Sequence, residues 1–249
     1  MMEYHGFSSL LAADSSRVRD ICVAVIGAGG KTSLLFRLGR ELSRKYQKVL
    51  LTALTRMQYP VDLEPVIASE VADPDLSKLF RKGAPLFLMG SRESDAKLAG
   101  LSVAELDLAR KQADICLFEC DGARGLSLKA HHGNDPDVPR CATHVIIVVG
   151  ADAVGTSLRE GLVHRPDVFK RQWGIDDDTV IGAEFVAQVV TSSRGYVSKI
   201  PQEVEHIYFV NKQDTHPVEA EQVARAIKAV SSSRTYIGSC HTGLCRRLA

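Results

Sequence analysis

The chain has 249 residues, of which 45% are apolar and 24% charged; 31 basic and 30 acidic side chains leave a formal charge of +1. A chain of this length buries roughly 75% of its unfolded surface, which excludes global disorder, collagen and low complexity. The balanced charge excludes a broad electrostatic footprint for nucleic acid, and no apolar run reaches the ~18 residues of a membrane span. Length leans to one domain over residues 1–249. Met1–Ser16 lacks the basic-then-apolar pattern of a signal peptide. The six cysteines form no CxxC pair, so a reduced, cytoplasmic protein is expected. Cys240-His241-x3-Cys245 has a spacing that suits metal ligands but lacks obvious partners, and chance placement in a tail is the competing reading.

The first apolar run, Ile21–Ile26, predicts a strand that is apolar throughout, as in a parallel sheet covered on both faces. It runs into Gly27-Ala28-Gly29-Gly30-Lys31-Thr32-Ser33 and then a predicted helix over Thr32–Tyr46, with Leu34, Leu35, Leu38 and Leu42 at helical spacing. Glycines permit a tight turn with N–H groups aimed at an anion, and the helix dipole adds to the attraction. Lys31 offers a point charge for phosphates, and Thr32 a ligand for Mg²⁺. A dinucleotide fingerprint would need a third glycine where Thr32 stands and an acid in Leu50–Leu54, and both are missing. A turn that only packs would not need Gly-Lys-Thr at the helix start. The spacing is GxxGKT rather than GxxxxGK[ST], whose first glycine would fall at Val25, and this shorter form is similar to the ATP loop of Mur-type amide ligases.

Strands are predicted next at Val49–Thr52 and Pro85–Met89, a helix over Val103–Ala113, and a strand over Ile115–Glu119 that ends in acids. Glu119 and Asp121 are the candidates to hold Mg²⁺ or to orient a nucleophile. A plain Asp121-Gly122 turn is the structural alternative. The irregular stretch Gly122–Arg140 follows a strand end, where ligands sit in open α/β sheets. A strand at His144–Val149 leads into a second long polar connection, Asp152–Trp173. A helix over Ala183–Val190 and a strand at His206–Val210 precede Asn211-Lys212-Gln213-Asp214. That is NKxD, in which Asp214 would accept from guanine N1 and N2, Asn211 would support the loop and the Lys212 stem would lie along the base. A polar turn with Asp214 or Thr215 capping the next helix is the alternative. Val218–Val230 predicts that helix, Ser231–Ser233 a linker, and Arg234–Ile237 a last strand. Alternating strands and helices predict an α/β, doubly wound, mostly parallel sheet with a phosphate-loop NTPase-like architecture.

VIGAGGKTSLLF (Val25–Phe36), ECDGARGLSLKAH (Glu119–His131), THVIIVVGADAVG (Thr143–Gly155), VHRPDVF (Val163–Phe169) and FVNKQD (Phe209–Asp214) occur in this order. Together they resemble the YqeC family of accessory proteins for selenium-dependent molybdenum hydroxylases. The resemblance spans about residues 5 to 215. It implies a nucleotide-dependent role in maturation or cofactor preparation, with a client hydroxylase or its cofactor as partner. Three places depart from the family pattern: Thr52-Ala53-Leu54-Thr55-Arg56-Met57 in a Thr-rich run that usually ends in Lys-Met, His131 in a usual Lys-Ala-Pro, and Asp135-Pro136 in a usual Glu-Pro. The resemblance also suggests a second, anion-binding site from Arg124, Lys129, His164 and Arg165, with His164 titrating near neutrality for proton transfer.

Three functions are compatible with this reading. The first is a Mg²⁺-dependent GTPase, ATPase or phosphotransferase in which Lys31, Asp121, Arg124, His164 and Arg165 act at the transferred group. The second is a GTPase-like switch or chaperone for a client. The third is a Mur-like amide ligase.

Overall fold

The computed structural model describes residues 5–11, 21–60, 63–73, 75–133 and 135–248. Residues 1–4 and 12–16 of the N-terminal stretch read above lie outside it. Nine strands of the main sheet, in chain order, are β1 Ile21–Gly27, β2 Val49–Ala53, β3 Val66–Ile67, β4 Leu86–Met89, β5 Ile115–Glu119, β6 His144–Gly150, β7 Glu205–Asn211, β8 Thr235–Ser239 and β9 Leu244–Arg247. Across the sheet they run β9-β8-β7-β6-β1-β5-β2-β4-β3. Every pairing is parallel except that of β9 with β8.

The side-chain period of two explains why β1 reads as uniformly apolar. Cys22, Ala24 and Ile26 point into one apolar cluster, and Val23 and Val25 into the other. Helix α1 (Lys31–Leu42) covers the second face with Leu34, Leu35 and Leu38, all fully buried, which contributes roughly 1.5–3 kcal/mol apiece. The first face is covered by α2 (Val103–Arg110), α3 (Pro166–Trp173), α4 (Ala183–Thr191) and α5 (Pro217–Val230), through residues such as Leu106, Phe169, Val186 and Val223. The result is the predicted doubly wound α/β architecture with a phosphate-loop-type turn after the central strand.

Differences from the predicted elements have local causes. The first helix stops at Leu42 rather than Tyr46 because the next amides leave the α-helical pattern: Arg44 N–H turns to Glu41 O (3.3 Å) and Lys45 N–H to Leu42 O (2.8 Å), three residues back rather than four. Helix α2 ends at Arg110 and starts from a capping box that Ser102 makes with Glu105. A small sheet of Met57–Gln58, Ser91–Ser94 and Lys97–Ala99 was not legible, since its strands are two to four residues long.

Strand β9 was also missed. It places Cys245 opposite Gly238, and both Cys240 and Cys245 are buried in the cluster with Phe7 and Tyr236. Burial pushes both thiols up, that of Cys245 to about 12. Among the described residues no group of three or more His, Cys, Asp or Glu side chains is arranged to hold a metal ion. The metal reading of the tail gives way to packing: both thiols serve as small hydrophobes.

Candidate functional site

The glycine turn sits at the carboxyl end of β1, between β5 and β6. Gly27, Gly29 and Gly30 all have positive φ (98°, 85° and 117°), which side-chain-bearing residues rarely adopt. All three are also sites of close approach, a Cβ on Gly27 falling 2.3 Å from Val148 O. A Cβ on Gly29 would lie 2.1 Å from Gly150 N, and one on Gly30 would lie 2.3 Å from Asn211 Nδ2.

The turn's own amides are engaged, contrary to the expectation that they form the cradle. Gly27 N–H donates to Asp121 Oδ1 (3.2 Å) and Oδ2 (3.1 Å), Ala28 N–H to Val148 O (3.0 Å) and Gly29 N–H to Leu126 O (2.8 Å). Gly27, Ala28 and Gly29 therefore shape the turn. The amides of the first turn of α1 have no intrahelical acceptors, which is the arrangement that suits an anion. Gly30 is the N-cap and supplies no side-chain bond; Lys31, Thr32 and the exposed Ser33 begin the helix.

Lys31 is buried, with Nζ 2.7 Å from Gly27 O, 3.4 Å from Asp121 Oδ1 and 3.5 Å from Glu119 Oε1. Burial alone would lower its pKa, but Asp121 and then Glu119 reverse this, and the ammonium is held charged. Thr32 Oγ1 donates to Glu119 Oε2 at 2.8 Å. Burial raises the pKa of Glu119 against the pull of Lys31 and Thr32.

Asp121 is fully buried and saturated. Besides the Gly27 N–H it accepts from Lys129 Nζ (2.8 Å) and contacts His131 Nε2 (2.9 Å). Burial would raise its pKa; Lys31, His131 and Lys129 together hold it well below the usual carboxylate range. The two acids thus separate. Asp121 is the anchor of the turn, and Glu119 keeps an oxygen on Thr32.

The two long connections picked out from the sequence are stitched together. Leu128–Lys129 and Val163–His164 form a short parallel ladder in which Lys129 is opposite His164. Lys129, a candidate for the anion site, lies fully buried against Asp121, Gly122 O (2.9 Å) and Asp135 Oδ2 (3.3 Å). Arg165 caps α3 at φ 60° and pairs with Asp135, and Arg124 is exposed at φ 52°. Pro166 then opens the helix.

His164 does not titrate near neutrality. Burial, then Lys129, Arg165 and Arg124, push it down to about 4, so at pH 7 it is neutral. His131 points into the Asp121 cluster, stacks on Tyr196 at 4.3 Å and is pushed down by burial, while His132 is exposed. The sequence carried no sign of the Asp121–His131 contact or of the Asp135 hub, because both depend on how an irregular loop folds back on itself.

Asn211 and Lys212 reach the site from the end of β7. Buried Asn211 donates from Nδ2 to Gly29 O (2.7 Å) and accepts from Cys240 N–H (3.0 Å). Lys212, at φ 71°, puts Nζ on Ser127 Oγ (2.7 Å) and Asp152 Oδ2 (2.6 Å). Asp214 is exposed and does not cap α5, whose N-cap is His216 with Pro217 next.

These shifts set a pH dependence. An unfolded histidine has a pKa of about 6.5, whereas folded His164 sits at about 4. Between those values the unfolded chain holds the extra proton, so stability is present above about pH 6.5 and is lost as pH falls towards 4. His131 works in the same direction and Glu119 in the opposite one. Urea midpoints of wild type and His164→Gln are expected to converge as pH falls from 7 to 4. A constant gap across that range would refute the assignment.

Comparison with known proteins decides the relationship. The profile of the YqeC family, described as YqeC protein, matches residues 23–167. The chain belongs to the YqeC family. The relative from Escherichia coli (strain K12), named Uncharacterized protein YqeC, is 30% identical over 209 residues, covering 82% of this chain and 81% of its own. Among solved structures, HypB from Helicobacter pylori in complex with nickel covers 95% of this chain and 86% of its own at 10% identity and a TM-score of 0.39. That likeness is too loose to say anything of ligands. In this YqeC-family protein the matched segment holds the glycine turn, Glu119, Asp121 and the Lys129–His164 ladder, while Asn211–Asp214 falls beyond it. Among the described residues no helix is long and apolar enough to cross a membrane.

Proposed function

We propose that this YqeC-family protein binds a purine nucleoside triphosphate with Mg²⁺ and hydrolyses it or transfers its phosphate, in the maturation of selenium-dependent molybdenum hydroxylases. The observation that carries the nucleotide reading is the meeting of Lys31 and Thr32, at the start of α1, with Glu119 at the end of β5. The maturation role rests on the family resemblance. In this reading the amides of the first turn of α1 bind phosphate oxygens, and Lys31 turns from Gly27 O to the terminal phosphates. Thr32 and Glu119 fit Mg²⁺, since a buried carboxylate beside a hydroxyl is a donor set of the hard-oxygen kind. Bound there, Mg²⁺ neutralises charge on the phosphates. Asp121 keeps the turn in shape and holds Lys31 charged. Arg124 and Arg165 stabilise charge at the transferred group. His164, neutral at pH 7, accepts a hydrogen bond there rather than giving up a proton.

The Asn211–Asp214 loop favours GTP over ATP. The Asn211 side chain fastens this loop to the phosphate turn at Gly29 O, and the exposed Asp214 carboxylate is left for the guanine N1 and N2 donors, which adenine lacks. A charged hydrogen bond of this kind is worth roughly 1.5–3 kcal/mol. Equilibrium titration with Mg²⁺-GTP and Mg²⁺-ATP is therefore expected to show tighter GTP binding, and Asp214→Ala to weaken GTP about tenfold to a hundredfold while leaving ATP unchanged. Equal loss for both nucleotides would reduce the motif to a turn. Binding of neither to wild type would overturn the nucleotide reading. Turnover only with an added carboxylic acid and amine would favour a ligase, and slow turnover with nucleotide-dependent capture of a hydroxylase would favour a switch.

A further inference from the structure

Beside the phosphate turn lies a second charged cluster built by the two stitched connections. Asp135 Oδ2 accepts from both Arg165 Nη1 and Lys129 Nζ, and Lys129 in turn pairs with Asp121. Charge alternates in a continuous line: Lys31, Asp121, Lys129, Asp135, Arg165. His164 is half-buried within electrostatic reach of Lys129, Arg165, Arg124 and Asp135, so three cations surround it against one acid. At the outer end the cluster is open, the Arg165 and Asp135 side chains being 36% and 24% exposed.

Its backbone is unusual as well. The non-glycine residues with positive φ among those described are Arg124, Arg165 and Lys212. Two of the three are the arginines of this cluster. A left-handed non-glycine residue is strained and persists where its surroundings over-determine it, which is common at ligand sites. A planar guanidinium matched to a carboxylate is also the geometry that recognises carboxylate and phosphate groups in ligands.

We propose that Arg124 and Arg165, backed by Lys129, form a subsite for an oxyanion of a second substrate, and that the Asp135 carboxylate occupies this subsite as an internal competitor. The role as a second-substrate site rests on the nucleotide reading above, because the line of ion pairs puts the oxyanion one pair beyond the partner of Lys31. A carboxylate-bearing or a phosphate-bearing acceptor presents the same fork of oxygens to Arg165. When such a group binds, Asp135 is released from Arg165 and Lys129, and Lys129 keeps its pairing with Asp121. Binding is then weakened by whatever fraction of the time Asp135 fills the subsite.

The test titrates the full chain with orthophosphate and, separately, with succinate. The proteins are wild type, Asp135→Asn, and Asp135→Asn combined with Arg165→Gln. Phosphate held at the glycine turn contributes equally in all three. Asp135→Asn is expected to tighten at least one of the two anions by about tenfold or more, since removing an occupant present ~90% of the time restores that factor. The double variant is expected to lose the gain, and a gain confined to phosphate or to succinate identifies the acceptor's group. Arg124→Gln in the wild-type background, an exposed change, is expected to weaken the same anion, and urea midpoints for every variant separate lost folding from lost binding. No gain in Asp135→Asn with either anion, or a gain that survives Arg165→Gln, overturns the proposal. A Mg²⁺-GTP titration on the same samples separates the two claims. Nucleotide binding without an Asp135→Asn gain sinks the subsite alone. The gain without nucleotide binding sinks the nucleotide reading and leaves an anion site.

Discussion

Lys31→Ala is expected to weaken Mg²⁺-nucleotide binding by about tenfold to a hundredfold, read by equilibrium titration or by loss of nucleotide-induced thermal stabilisation. One charged hydrogen bond is worth roughly 1.5–3 kcal/mol, and Lys31 is the sole cation that lies against both Glu119 and Asp121 among the described ion pairs. Lys31→Arg is not expected to rescue binding. The ammonium occupies a slot only 3% exposed, 2.7 Å from Gly27 O, and a planar five-donor fork has no room to replace a point charge there. Lys31→Ala also removes a buried positive charge from two carboxylates, so the free protein is expected to lose stability too. Binding is therefore compared only below each variant's melting temperature. Undiminished nucleotide affinity in a folded Lys31→Ala protein would end the case for the phosphate loop.

Asp121→Ala is expected to cost about 3–5 kcal/mol of folding stability, the usual penalty for breaking a buried ion pair from one side. Three things happen at once. Lys31 and Lys129 lose their shared counter-charge, His131 loses the partner of Nε2, and the Gly27 N–H is left without an acceptor. Asp121→Asn retains the shape but not the charge and should fall between alanine and wild type. Urea denaturation provides the measurement, with Asp178→Ala as the contrast. The Arg159–Asp178 pair lies on the surface, at 68% and 78% side-chain exposure, so its loss should leave the midpoint almost unmoved. If Asp121→Ala moved the midpoint no more than Asp178→Ala, the charged core beneath the turn would not be holding the site together.

How much could be read beforehand differs by region. Strand β1 was legible because both of its faces are buried, so every position had to be apolar, and a central parallel strand has few other ways to look. Helix α1 was legible from Leu34, Leu35, Leu38 and Leu42, since the stripe that packs on the sheet recurs at the helical period. The strand β9 and the small sheet around Leu98 were not. Their strands are too short for periodicity to rise above chance, and they exist because distant backbone offers hydrogen-bond partners.

The same division runs through the site. Gly27, Gly29, Gly30, Lys31 and Thr32 announce themselves because a strand, a turn and a helix start are consecutive in the chain, so their chemistry is local. The acids at the end of β5 were visible as a pair, but their different roles were not. Asp121 and Glu119 are two residues apart and chemically alike. What separates them is that Gly27 N–H, Lys129 and His131 surround one and Thr32 touches the other. His164 illustrates the same limit: its ordinary pKa is a property of the residue, and its displacement to about 4 is a property of burial and of three cations supplied by the connections around it.

By itself the amino-acid sequence determined the alternation of strands and helices, the place of the glycine turn and the candidate groups around it, because hydrophobic period, backbone freedom and side-chain chemistry act over a few neighbouring residues. The tertiary structure decided which amides of the turn remain for an anion, which acid anchors and which faces Thr32, and that Asp135 closes on Arg165 and Lys129. Those outcomes depend on desolvation and on hydrogen bonds and ion pairs between residues far apart in the chain, 94 positions between Gly27 and Asp121 and 87 between Thr32 and Glu119, and such distances carry no imprint in local sequence.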